Sequence, residues 1–181
     1  YSSAASDVYK RQIKRQPIST YRSQNRGGRG VQGMGTHDDD YVKELLSTST
    51  HDYLLFFTNK GKVYQKKAYT IPEYGRTAKG LPIVNIIEIA QDEEISAIIP
   101  VKEFNENEFL FFATRTGVVK RTTLSAFGNI RTNGLIALSL REDDELIGVR
   151  KTTGSNDIVI ASSGGKLVWF EEDQVRSMGR T

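Results

Sequence analysis

The chain of 181 residues contains no cysteine, which excludes a disulfide framework, thiolate metal sites and cysteine nucleophiles. That absence fits a reducing compartment. Histidine is nearly absent too: His37 and His51 are the only two, no cysteine can join them in a metal site, and ordinary loop polarity is their expected role. No apolar run approaches the ~20 residues that a membrane-spanning helix needs. The start, Tyr1-Ser2-Ser3-Ala4, lacks the hydrophobic stretch of a signal peptide. Long helical periodicity is missing. No glycine-rich loop ends in Lys-Ser or Lys-Thr, so ATP binding by a Walker-type loop is excluded. Charge is not strongly one-sided: the net charge is +3, so any nucleic-acid face must come from the placement of cations. With 38% apolar residues the chain is globular without being core-rich.

What is present is a basic, glycine-rich stretch, Gln24-Asn25-Arg26-Gly27-Gly28-Arg29-Gly30. No hydrophobic period runs through it, so it is neither a core helix nor a core strand. Glycine allows tight turns and close backbone approach. Arginine offers a planar fork of donors suited to phosphate oxygens. The stretch therefore reads as a basic loop able to follow a phosphate backbone, or as a glycine-rich surface linker.

Weaker copies of the stretch recur, as Arg76-Thr77-Ala78-Lys79-Gly80 at a spacing of 50, then Ile130-Arg131-Thr132-Asn133-Gly134, then Gly179-Arg180-Thr181. An apolar segment follows each of the first three (Val31–Met34, Leu81–Val84, Leu135–Leu138). An acidic patch comes next (Asp38–Asp40, Asp92–Glu94, Asp143–Glu145), then a short strand candidate (Val42–Leu46, Ile95–Val101, Leu146–Val149). Each repeat closes with a hairpin whose first strand is apolar and aromatic: Tyr53–Phe57, Phe109–Ala113, Ile158–Ala161. The turns end in Gly61, Gly117 and Gly165, where a positive φ is expected. Units of about 50 residues with about four strands predict an all-β, propeller-like fold. The repeats run over 24–75, 76–130 and 131–181.

The return strands carry Lys62, Lys66 and Lys67, then Lys120 and Arg121, but in the third repeat Lys166 is followed by Val168-Trp169-Phe170-Glu171-Glu172. With Lys60, Arg76, Lys79, Arg115 and Arg131 these predict a basic rim, and the acidic patches fall at a different point of the repeat. Trp169 and the phenylalanine pairs read as core. No recognition helix, zinc-finger spacing or aromatic platform is evident. The expected mode is phosphate contact without base reading.

The seven-residue stretch resembles the signature box of the C-terminal DNA-wrapping domain of the DNA gyrase A chain family, which reads Gln, basic, Arg, Gly, Gly, basic, Gly. The departure is Asn25, where the family carries Arg or Lys, one phosphate contact fewer. The likeness runs from about Ile13 to Thr181. It implies a six-bladed β-pinwheel of four-stranded blades, with strands exchanged between neighbours and about three of the six blades present. It also implies that Gln24, Arg26, Gly27, Gly28, Arg29 and Gly30 contact sequence-nonspecific double-stranded DNA together with the rim cations. The implied holoenzyme is an A2B2 type II topoisomerase in the bacterial cytoplasm, built from two A and two B subunits, with no membrane association. Its ATP and Mg2+ are bound outside this stretch, its ATP site lies in the B subunits, and its DNA-cleaving tyrosine lies in an upstream domain. None of the eight tyrosines here sits in a matching motif. Residues 1–12 match nothing in the family and read as a translated adaptor, and 13–23 as a lead-in linker. The rival readings are the corresponding domain of topoisomerase IV, in which the box is degenerate, and a protein-binding propeller scaffold.

Overall fold

Strands that are apolar on both faces need a neighbour on each side, and the hairpins of this chain find one by stacking sheet against sheet. The computed structural model describes residues 2–7, 12–21, 23–30 and 42–181. The expected segments Val31–Met34 and Asp38–Asp40, and His37, lie outside the described residues. The strands are β1 (Ser2–Asp7), β2 (Gln12–Pro17), β3 (Val42–Thr48), β4 (Tyr53–Thr58), β5 (Lys62–Lys67), β6 (Leu81–Pro82), β7 (Ile95–Val101), β8 (Phe109–Thr114), β9 (Val119–Thr123), β10 (Leu135–Ile136), β11 (Leu146–Thr152), β12 (Asp157–Ala161) and β13 (Leu167–Glu171). Helical turns among the described residues are short 3-10 segments, and no helix is long and apolar enough to cross a membrane.

The sheets run in the order β3-β1-β2-β6, β10-β5-β4-β7, β11-β8-β9 and β12-β13. A blade is therefore not a sequence repeat. The second sheet takes its central hairpin from the first repeat, β7 from the second and β10 from the third. This is the strand exchange of a pinwheel, and among the described residues the sheets do not close into a ring. All neighbouring strands pair antiparallel. The hairpin glycines take the positive φ expected of them: Gly61 at 79°, Gly117 at 89° and Gly165 at 77°.

Alternation along β4 sends side chains into two cores. Leu54 and Phe56 join Ile13, Tyr64, Ile71, Ile83 and Ile98 on one face. Leu55 and Phe57 join Val63, Ile99, Leu110, Phe112, Phe127 and Val149 on the other. The Phe57 and Phe112 rings meet edge-on with centroids 5.6 Å apart, tying the second sheet to the third. The phenylalanine pairs are thus core, as expected. Trp169 is not: it is 65% exposed on β13, along with Leu167 and Val168.

Two expectations about the first residues meet a different arrangement. Ile13–Pro17, read as the start of a linker, belongs to a strand, Gln12–Pro17, with Ile13 and Lys14 both fully buried. Ser2–Asp7, set aside as adaptor, pairs between β2 and β3.

Candidate nucleic-acid interface

The box from Gln24 to Gly30 is exposed throughout. Gln24 turns back over it, and its Oε1 accepts from the Gly30 N–H at 2.9 Å. Gly28 N–H donates to the Asn25 carbonyl at 3.1 Å, closing a tight turn. A Cβ on Gly28 would fall 2.5 Å from Gln24 Oε1, so the second glycine leaves room for the glutamine brace. Gly27 and Gly30 sit at φ values of 84° and 72°, the left-handed region that glycine reaches without strain. Arg26 and Arg29 are both exposed on this turn.

The downstream copies lie along the outer edge strand of a blade. Beside β2, Arg15 N–H donates to the Pro72 carbonyl at 3.0 Å and Tyr74 N–H to the Arg15 carbonyl at 3.3 Å. The chain then loops through Arg76–Gly80 and returns as β6, with Leu81 opposite Ile13. Beside β5, Gly134 rests on Tyr64 before β10 pairs Leu135 with Val63. Beside β9, Met178 N–H donates to the Arg121 carbonyl at 2.9 Å. Each loop covers an edge that would otherwise be open to pairing with another chain. Arg76, Lys79 and Arg131 are all exposed on these loops. Arg131 and Arg180, from successive copies, line one groove with Gln65, and Lys66 lines a neighbouring one with Thr132. Arg180 was absent from the sequence-derived set, although the repeat places it opposite Arg131.

The remaining cations of that set fall elsewhere. Lys60 lies by the hairpin turn, in a recess with Asp92, Glu94 and Glu145. Arg115 donates to the Asp143 carbonyl, and Lys62 Nζ stands 4.0 Å from Glu93 Oε1. Lys67 Nζ sits 3.4 Å from the Tyr53 ring centroid and donates to the His51 carbonyl at 3.1 Å. Lys120 Nζ points into the last loop and donates to the Arg180 carbonyl. Arg121 is buried, its guanidinium 4.5 Å from the Phe109 ring centroid and 3.6 Å from Glu172 Oε2. Arg121 is therefore a core cation and not a rim one. The charge segregation read from sequence is only partial: one end of the blades, by the hairpin turns, mixes carboxylates with Lys60, Lys62 and Arg115, while the edge loops present arginine and lysine.

Buried ionisable groups support the fold around this surface. Burial lowers the Lys14 and Lys120 ammonium groups from their ordinary range. Burial, reinforced by the carboxylate and hydrogen bond of Glu93, pushes the Tyr64 phenol up to about 12. For Glu172, burial alone would raise the pKa. Hydrogen bonds from Thr152 Oγ1 at 2.6 Å and from the Gly154 and Asn156 N–H groups, both at 2.7 Å, with Arg121 nearby, hold it below the usual carboxylate range. Among the described residues no cluster of histidine and carboxylate side chains could hold a metal.

A three-fold recurrence of hairpin and basic edge loop narrows the families that could own this chain, and one family model matches it over residues 10–49, 52–102, 108–153 and 156–181: the DNA gyrase C-terminal domain, a beta-propeller. The chain belongs to that family. Ser2–Asp7 lies outside the match. Within the DNA gyrase C-terminal domain family, the DNA gyrase A chain of Halalkalibacterium halodurans is 59% identical over 169 residues, covering 93% of this chain and 20% of that protein. Its counterpart in Staphylococcus aureus is 57% identical over 170 residues, covering 93% and 19%. The chain thus spans about a fifth of the length of these relatives. Among solved structures, the C-terminal domain of DNA topoisomerase IV superposes with a TM-score of 0.81 at 30% identity, covering 99% of this chain and 54% of that one. The DNA gyrase A C-terminal domain superposes with a TM-score of 0.77 at 26% identity, covering 99% and 58%.

Proposed function

We propose that this domain binds duplex DNA without sequence preference along the outer edges of its blades and bends it around them. The observation that carries the reading is the recurrence of an exposed basic loop on successive edge strands, with Arg131 and Arg180 from consecutive copies lining a shared groove. Phosphate contacts of this kind position DNA and do not read bases. Bending has an elastic cost, which many such contacts together offset. The whole protein would be the A subunit of a bacterial DNA gyrase, paired with a second A and two B subunits in the cytoplasm. ATP and Mg2+ would be bound outside this domain. Wrapping would present the transported segment to the cleaved one with a fixed hand, so that ATP-driven strand passage introduces negative supercoils. The gyrase relatives at 57–59% identity and the box from Gln24 to Gly30 favour gyrase over topoisomerase IV.

The test is plasmid topology with the intact enzyme carrying Arg26→Ala and Arg29→Ala, with and without ATP. Negative supercoiling is lost while relaxation and decatenation continue. Supercoiling at the parental rate would show that the box is only a linker.

A further inference from the structure

The side chains that seat the edge loops come from the return strand two repeats back, ahead of the intervening hairpin. Lys14, on β2, is fully buried, yet its ammonium is not unsatisfied. Nζ donates to the carbonyls of Gly75, Arg76 and Ala78 at 2.9, 2.7 and 2.8 Å. An ammonium has three donors, so all three are used, and by one loop. Lys120 stands at the matching place on β9: Lys14 and Lys120 each fall four residues before the first residue of the 3-10 turn that follows, Ile18 and Leu124. Lys120 Nζ donates to the Arg180 carbonyl in the last copy. On β5 the equivalent residue is Tyr64, four before Ala68. It seats its loop by shape, since a Cβ on Gly134 would fall 2.8 Å from Tyr64 Cε1. Gly80 is equally confined, its would-be Cβ lying 2.8 Å from the Ile13 carbonyl oxygen and 3.2 Å from Lys14 Cβ. Both glycines have positive φ, 88° for Gly80 and 83° for Gly134.

We propose that Lys14, Tyr64 and Lys120 are positioning residues that each fix the basic edge loop lying beyond the next hairpin, so that Arg76 and Lys79, Arg131, and Arg180 are held in place for phosphate. The inference rests on the reading of these loops as the DNA contact. A lysine here gathers carbonyls and never meets the duplex, although its residue type and its place on a basic strand mark it as a rim cation. The loop carbonyls are drawn inward, which leaves the loop's own cations outward.

The experiment uses the full-length protein and three readouts. In Lys14→Met, trypsin cleavage after Arg76 and Lys79 accelerates about tenfold, as expected when charge-assisted bonds that close a local structure are lost. Cleavage after Arg131, in the loop seated by Tyr64, stays at the parental rate. Unchanged cleavage at Arg76 and Lys79, or an equal rise at Arg131, overturns the proposal. A second measurement needs no variant: brief amine acylation followed by peptide mass spectrometry modifies Lys14 at least about tenfold more slowly than Lys79, and equal rates overturn the seat. The third readout separates the seat from the DNA reading. Lys14→Met lowers the salt slope of duplex binding as Arg76→Ala with Lys79→Ala does, and combining the changes gives no further drop. A normal slope in Lys14→Met beside a reduced one in the double variant overturns the positioning role. A normal slope in the double variant sinks the DNA reading instead, and leaves the cleavage test of the seat standing.

Discussion

Gly134 packs against the ring of Tyr64, so close that a Cβ would sit 2.8 Å from Cε1. The contact joins an edge loop of one repeat to the return strand of another, and it sets up the first prediction. Gly134→Ala meets both a positive φ and a clash, whereas Gly117→Ala, at a φ of 89°, meets no atom within 4 Å. Left-handed backbone alone costs an L-residue about 1–2 kcal/mol, and overpacking adds about 1–3 kcal/mol. Urea unfolding shows Gly134→Ala to be the more destabilised of the two by at least about 1 kcal/mol. Equal losses would mean that the ring yields freely.

Arg121 and Arg131 separate stability from binding. Arg121 neighbours the buried carboxylate of Glu172 at 3.6 Å, and removing it leaves that charge without its cation. Arg121→Ala lowers stability by about 3 kcal/mol, the scale for breaking a buried pair, and leaves the salt slope of DNA binding intact. Arg131→Ala does the reverse. Paired unfolding and binding titrations check both, and a lowered slope in a folded Arg121→Ala protein contradicts the assignment.

Acid sensitivity follows from Asp144 and Glu172. Burial would raise the Asp144 pKa, but bonds from the Thr114 and Thr116 hydroxyls and from the Thr116 and Glu145 N–H groups hold it well below the usual range. Groups with depressed folded pKa values stabilise the protein fully above their unfolded pKa, near 4, and lose that contribution as the pH falls toward the folded one. The parental domain therefore loses stability steadily below about pH 4. Asp144→Asn is less stable at neutral pH and shows a shallower acid fall. The check is unfolding followed from pH 7 down to pH 2, and an unaltered acid slope in the variant contradicts the assignment.

Hairpins and turn glycines were legible because their signals are local: an apolar run, a glycine, a return run. Strand exchange left no local mark, since β7 and β10 reach the second sheet from later repeats, and it came only from the family resemblance. Ile13–Pro17 read as linker because Lys14, Arg15 and Gln16 look solvated in sequence. The carbonyls that bury Lys14 lie 61 to 64 residues away. The same blindness put Lys120 and Arg121 on the rim, because residue type does not reveal which way a strand's side chain turns. Trp169 read as core by size, yet nothing described covers its face of β13.

The central claim is that the edge loops, and not the hairpin turns, hold the duplex. It is tested most directly by the salt dependence of affinity for a labelled duplex, compared between two triple variants of the full-length protein. Each lost phosphate contact lowers the slope of log K against log salt by about 0.9. Arg76→Ala, Lys79→Ala and Arg131→Ala together should remove two to three such increments. Lys60→Ala, Lys62→Ala and Arg115→Ala together, beside Asp92–Glu94 and Asp143–Glu145, should leave the slope at its parental value. A slope that falls as far in the second variant as in the first, or that stays at the parental value in the first, contradicts the account.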